Sequence, residues 1–173
     1  MINILDTDIE DLKLIEPRVF NDARGCFFES FNKKIFKKKI GNINFVQDNE
    51  SYSKYGVLRG LHYQQYPYEQ SKLVRVVKGE IQDVAVDLRK SSNTYLKYFS
   101  CLLNDENKRQ LFIPKGFAHG FLVLSKYAIV NYKVDNYYSP EHEKILSYDD
   151  NDICIKWNLS VENIQLSKKD MIR

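Results

Sequence analysis

A chain of 173 residues, 43% hydrophobic and 28% charged, has the size and composition of one folded domain and excludes a disordered, fibrous or membrane-embedded protein. Its net charge of +3 comes from 26 Lys and Arg against 23 Asp and Glu, spread along the chain without a basic tail. Nucleic acid is therefore not an expected partner, and an anionic small ligand is only weakly favoured.

The N-terminal stretch MINILDTDIEDLKLIEP is acidic where a signal peptide would be basic, and no window reaches about 18 consecutive apolar residues. A cytoplasmic location is the expectation. Next, RVFNDARGCFFESF sets Arg24, Gly25 and Glu29 among Phe20, Phe27, Phe28 and Phe31, and Ser30 to Lys39 reads as a helix. QDNESYS supplies Gln47, Asp48 and Asn49, and GVLRGLHYQ holds His62 between Arg59 and Gln64. In QSKLVRVVKGEIQDVAVDLR, two apolar alternations flank Lys78-Gly79, a pair suited to a tight hairpin turn. Further strands are expected over Gln110 to Pro114, Gly120 to Leu124 and Ala128 to Val134, all rich in β-branched and aromatic residues.

With no repeat or linker in sight, residues 1–173 are expected to form a single domain. Many short antiparallel strands point to a mainly β protein, a double-sheet sandwich or jelly roll with few short helices. Cys26, Cys101 and Cys154 lie far apart with no CxxC pair. That argues against disulfides and structural zinc, and leaves them as reduced, buried thiols.

Two of the three histidines stand out. A lone histidine is ordinarily a hydrogen-bonded residue at a strand end, but His62 and His119 sit in polar clusters inside otherwise apolar segments, where polar groups need partners or a ligand. Asp83 and Asp87 are embedded among Val84, Ala85, Val86 and Leu88, so each is expected to meet a cation or a histidine. For Lys72 and Arg75 a solvent-facing row of alternate residues is the plain explanation. An Arg fork suits diphosphate oxygens, and Glu, Gln and Asn suit sugar hydroxyls and base edges.

Taken in order, FNDARGCFFESF, QDNESYSKYGVLRGLHYQ, QSKLVRVVKGEIQDVAVDLR, IPKGFAHGF, YKVDNYYSPEHE and the terminal SKKD resemble the dTDP-4-dehydrorhamnose 3,5-epimerase family of cupin-like jelly rolls. The resemblance covers nearly the whole chain. It implies a proton acceptor at His62, a proton donor at Tyr132, Lys72 near the reacting sugar, and Asp170 behind His62, with Asp83 as the alternative partner. It further assigns Arg24, Glu29, Gln47, Asp48, Asn49, Arg59, His119, Glu143 and Lys168 to substrate binding, and Tyr138 to stacking on the nucleotide base. The implied reaction inverts C3, C5 or both in a dTDP-linked 4-keto-6-deoxyhexose for deoxysugar biosynthesis, a GDP-linked sugar being the variant. No cofactor or metal is implied, and the expected assembly is a homodimer with N-terminal strands exchanged. Two other classes compete: a metal-dependent cupin built on His62, His119 and Glu69, and a non-catalytic carbohydrate-binding jelly roll.

Overall fold

In the computed structural model, which describes residues 2–171, two antiparallel sheets pack face to face. Strands β1 (Asn3–Asp6) and β2 (Lys13–Glu16) start one sheet, β3 (Val19–Asp22) and β4 (Gly25–Phe28) form a separate hairpin, and helix α1 spans Lys33–Lys39. There follow β5 (Gln47–Lys54), β6 (Leu58–Gln64), β7 (Lys72–Lys78), β8 (Glu80–Asp87) and β9 (Tyr98–Asn104). The last strands are β10 (Gln110–Ile113), β11 (Phe117–Val123), β12 (Tyr127–Val134) and β13 (Glu143–Ile145). One sheet has six strands in the order β1-β2-β10-β7-β12-β5, the other five in the order β13-β6-β11-β8-β9.

The expected double-sheet β-sandwich is therefore present, but one of its expected connections is not. β7 and β8 do not pair as a hairpin: β7 lies between β10 and β12, and β8 lies in the opposite sheet. The Lys78-Gly79 turn carries the chain across the sandwich. Gly79 has φ +85°, and a Cβ there would fall 2.2 Å from the Tyr127 carbonyl oxygen, so this crossing requires glycine. Alternation alone does not distinguish a hairpin from a crossing between stacked sheets, because both bury every second side chain.

Between the sheets lies an apolar core to which Val74, Val76, Leu111, Ile113, Ala128 and Val130 contribute from one side. Ile81, Ala85, Leu103, Phe117, Phe121 and Val123 meet them from the other. The outer faces are covered too. Phe36 of α1 packs with Ile2, Ile15, Leu73 and Phe112 on the six-stranded sheet, while Ile153 and its neighbours Ile155 and Trp157 cover Leu61, Val84, Val86 and Ala118. Burial on both faces explains why β11 is buried along its whole length and reads as a continuous apolar run rather than an alternation.

The helix begins later than its sequence suggests. Asn32 caps it, its side-chain oxygen accepting from the backbone N–H groups of Lys34 and Ile35. The cysteines also depart from expectation. Cys26 and Cys154 are exposed and Cys101 is half-buried, because Cys26 sits on the β3–β4 hairpin outside both sheets and Cys154 lies in a loop outside the named strands.

Candidate active site

Even-numbered residues of β7 point inward, so Lys72 shares the face of Val74 and Val76, and Tyr132 shares that of Ala128 and Val130. Gln47 and Asn49 on β5 pair with Val134 and Tyr132 of β12. From the other sheet, His62 and Gln64 on β6 face the same interior. The sandwich is thus apolar at one end and polar at the other. The polar end opens into a cavity of about 310 Å³ lined by Gln47, Asn49, His62, Tyr63, Gln64, Gln70, Lys72, Tyr132, Tyr138 and Glu143.

His62 is held from behind. Its Nε2 lies 2.6 Å from Asp170 Oδ1, and with the carboxylate as acceptor Nε2 carries the proton, leaving Nδ1 as the lone-pair nitrogen. Burial lowers the His62 pKa below its ordinary value, while Asp170 and Glu143 pull it back up. The imidazole is therefore neutral at pH 7, as a base must be.

Lys72 is 9% exposed, so the solvent-facing row does not describe it. Its ammonium donates to the His62 carbonyl oxygen at 3.3 Å, and burial brings its pKa down to about 8 against the raising influence of Asp83 and Glu143. Asp83 binds the other histidine instead of His62: His119 Nε2 lies 2.8 Å from Asp83 Oδ1. That resolves the choice of His62 partner in favour of Asp170. Asp87 meets its expected cation, accepting from Arg89 Nε and Nη2 at 2.9 Å.

Tyr132 is partly buried at the cavity wall, and burial raises the pKa of its phenol, which keeps the hydroxyl protonated. Glu143 accepts from the Tyr138 hydroxyl at 2.7 Å and from the Lys169 ammonium. Burial opposes the Glu143 charge, but these bonds outweigh it and hold its pKa below the usual carboxylate value. The aromatic ring of Tyr138 is thereby tethered at the cavity mouth.

Other residues singled out from the sequence stand outside the cavity wall. Arg24, at the tip of the β3–β4 hairpin, is bound to Asp22; Glu29 accepts from Asn32 before the helix. Asp48 is paired with Lys133 on the outer side of β5, Arg59 donates to Ser53, and His119 is buried on Asp83. Lys168 is exposed, and it is the adjacent Lys169 that reaches Glu143. The cavity also includes Tyr63, Gln64 and Gln70, which the sequence did not mark as binding groups. Gln70 lies just before β7, two residues ahead of Lys72.

Near the Asp83–His119 pair, the ligand set for a metal does not assemble: no group of three or more His, Cys, Asp or Glu among the described residues is placed to hold an ion. Among the described residues no helix is long and apolar enough to cross a membrane.

Residues 6–172 match the family model described as dTDP-4-dehydrorhamnose 3,5-epimerase. A protein of that name from Shigella flexneri is 53% identical over 98% of this chain and 93% of its own. Among solved structures, the epimerase from Bacillus anthracis, with TDP and pyrophosphate bound, superposes with a TM-score of 0.95 at 46% identity, covering 99% of this chain and 98% of that one. The dTDP-6-deoxy-D-glucose-3,5-epimerase from Legionella pneumophila, in complex with dTDP-4-keto-L-rhamnose, gives a TM-score of 0.94 at 50% identity, covering 98% and 90%.

Proposed function

Because this chain belongs to the dTDP-4-dehydrorhamnose 3,5-epimerase family and is a nucleotide-sugar epimerase, we propose that His62 is its catalytic base, Tyr132 the opposing acid and Lys72 the cation that holds the enolate oxygen. The observation that carries this reading is placement: His62 comes from the five-stranded sheet and Tyr132 from the six-stranded sheet, so the two face one cavity from opposite walls.

A C4 ketone acidifies the hydrogens at C3 and C5. His62 Nδ1 takes such a proton, the C–H electron pair moves into the enolate, and negative charge gathers on the C4 oxygen. The imidazolium that forms is stabilised by Asp170, 2.6 Å from Nε2. Lys72, already desolvated, meets the developing oxyanion without further reorganisation, an effect worth about 3 to 4 kcal/mol where single oxyanion donors have been removed. Inversion requires the new proton to arrive on the opposite face of the ring, from the Tyr132 hydroxyl. The net change moves protons only, so the reaction itself calls for no redox cofactor.

Tyr138, tethered by Glu143 at the cavity mouth, is suited to stack on a thymine ring, and dTDP is the nucleotide we assign. We further infer a homodimer in which the β3–β4 hairpin is a contact surface. Phe20 and Phe27 are 49% and 71% exposed there, beside Arg24, and two large aromatic side chains in water favour a second copy. In this chain β1 pairs with β2, and β2 with β10, all of the same chain. Light scattering at twice the chain mass tests the assembly.

The decisive experiment follows solvent deuterium into C3 and C5 of dTDP-4-dehydro-6-deoxyglucose. The wild-type protein exchanges both positions and His62→Ala neither; exchange that persists in His62→Ala removes His62 as the base.

A further inference from the structure

We propose that Ser167 is a positioning residue of the catalytic pair, aiming the Asp170 carboxylate at His62; this rests on the reading of His62 as the base. The two carboxylate oxygens of Asp170 have separate tasks. Oδ1 takes His62 Nε2 at 2.6 Å, and Oδ2 accepts the Ser167 hydroxyl at 2.7 Å. The same Ser167 oxygen accepts the backbone N–H of Asp170 at 3.2 Å, and the Ser167 carbonyl accepts the N–H groups of Asp170 and Met171 at 3.0 and 3.2 Å.

This turn is tied to the strand that carries the base. Gln165 donates its backbone N–H to the Gly56 carbonyl at 2.8 Å and accepts that of Leu58 at 2.9 Å. Leu58 opens β6, four residues before His62. Sequence, fold and chemistry close into one ring, from Leu58 to Gln165, through Ser167 to Asp170, and back across the carboxylate to His62. The Ser167 hydroxyl fixes rotation about the Asp170 Cβ–Cγ bond, and at 5% exposure the carboxylate has little water to replace that donor.

Removing the hydroxyl frees the carboxylate to turn. The consequence falls on His62, whose Nε2–H tautomer depends on the acceptor behind it. The Ser167 backbone bonds survive in alanine, so the turn itself is retained.

The test compares Ser167→Ala and Ser167→Thr with His62→Ala in the full-length protein. The readouts are deuterium exchange, kcat/KM against pH, thermal melting, and the His62 tautomer by 15N chemical shift. Ser167→Ala is expected to slow exchange about 10- to 100-fold with a melting curve close to wild type. It should reduce the Nε2–H tautomer and move the acid limb of kcat/KM to lower pH, because His62 loses a partner that raises its pKa. Ser167→Thr should restore all three. Wild-type exchange and tautomer in Ser167→Ala overturn the proposal, as does a loss of activity that leaves tautomer and acid limb unmoved or that threonine does not repair. Exchange surviving in His62→Ala is a different failure, that of the base assignment, and is read separately.

Discussion

His62 and His119 stand directly opposite one another on β6 and β11, yet each is bound to a different aspartate. His62 takes Asp170, brought by the end of the chain, and His119 takes Asp83 from the neighbouring strand β8. Gly60 permits the close approach of the two strands, since a Cβ there would fall 2.6 Å from the His119 carbonyl oxygen.

The second pair has a consequence for Lys72. Asp83 is fully buried, and its Oδ2 has no hydrogen-bond partner among the described residues. Its charge acts on Lys72, whose pKa it raises against the dominant lowering by burial. Asp83→Asn keeps the shape and removes that charge, so Lys72 should lose its proton at lower pH and the basic limb of kcat/KM should move downward. An unmoved basic limb would mean that Asp83 serves His119 alone.

Asp170→Asn should be far more severe. An amide nitrogen in place of the carboxylate oxygen donates where His62 Nε2–H also donates, so the ring adopts the other tautomer and presents N–H instead of a lone pair. Where carboxylates orient catalytic histidines, such a change has cost about 10⁴-fold in kcat, and a loss of at least roughly 100-fold is expected here with substrate binding little altered. Steady-state kinetics check it; a variant within a few fold of wild type would show that Asp170 does not set the His62 proton.

The free enzyme should show a bell-shaped kcat/KM profile. On the acid side the base must be neutral. Burial lowers the His62 pKa, so activity is lost only as pH falls through a value below the ordinary imidazole range. On the basic side Lys72 must be charged, and its pKa of about 8 means activity declines as pH rises through about 8. Lys72→Met should abolish the basic limb along with most of the rate. A profile still flat at pH 9 contradicts a catalytic Lys72 ammonium.

The sequence alone carried the sandwich, the pairing of His62 with Asp170 through resemblance, and the expectation that Asp83 and Asp87 each meet a cation or a histidine, though not which one. It did not carry the crossing at Lys78-Gly79, because period-2 burial is the same whichever sheet the next strand joins. From alternation alone Lys72 looked like a surface charge, although the resemblance set it near the sugar: strand alternation gives its face, and only the stacking of β7 against β6 tells that this face is a cavity wall. Lys169 had no local signal, since its role arises from a contact with Glu143, 26 residues away, whereas Ser167 acts on Asp170 only three residues on, within the SKKD segment.

Asp87 offers a stability test separate from catalysis. It is fully buried and accepts from Arg89, Ser92 and Thr94. Burial resists its charge, but these donors together bring its pKa down to about 2. A depressed carboxylate stabilises the fold above its unfolded pKa, and that contribution is lost as pH falls toward about 2. Asp87→Asn leaves Arg89 half-paired and should cost about 3 kcal/mol, or roughly 6 to 12 °C in Tm, at pH 7. The difference from wild type should shrink in acid. Equal melting temperatures at pH 7 would show that the pair adds nothing.

Tyr132→Phe separates the two halves of inversion. The cavity keeps its shape, since only the hydroxyl is removed from a partly buried ring on β12, and His62 with Asp170 remains able to withdraw a proton and return one to the same face. Solvent deuterium should therefore still enter the sugar while the stereocentre is retained, so exchange outruns epimerisation. The ratio of the two, read by NMR of recovered sugar, should rise by a factor of about 100. If both fall together, Tyr132 shapes the bound substrate rather than delivering its proton; if inversion continues at the wild-type rate, the acid on the far face is another group, and the opposing placement of His62 and Tyr132 is not the basis of stereochemistry.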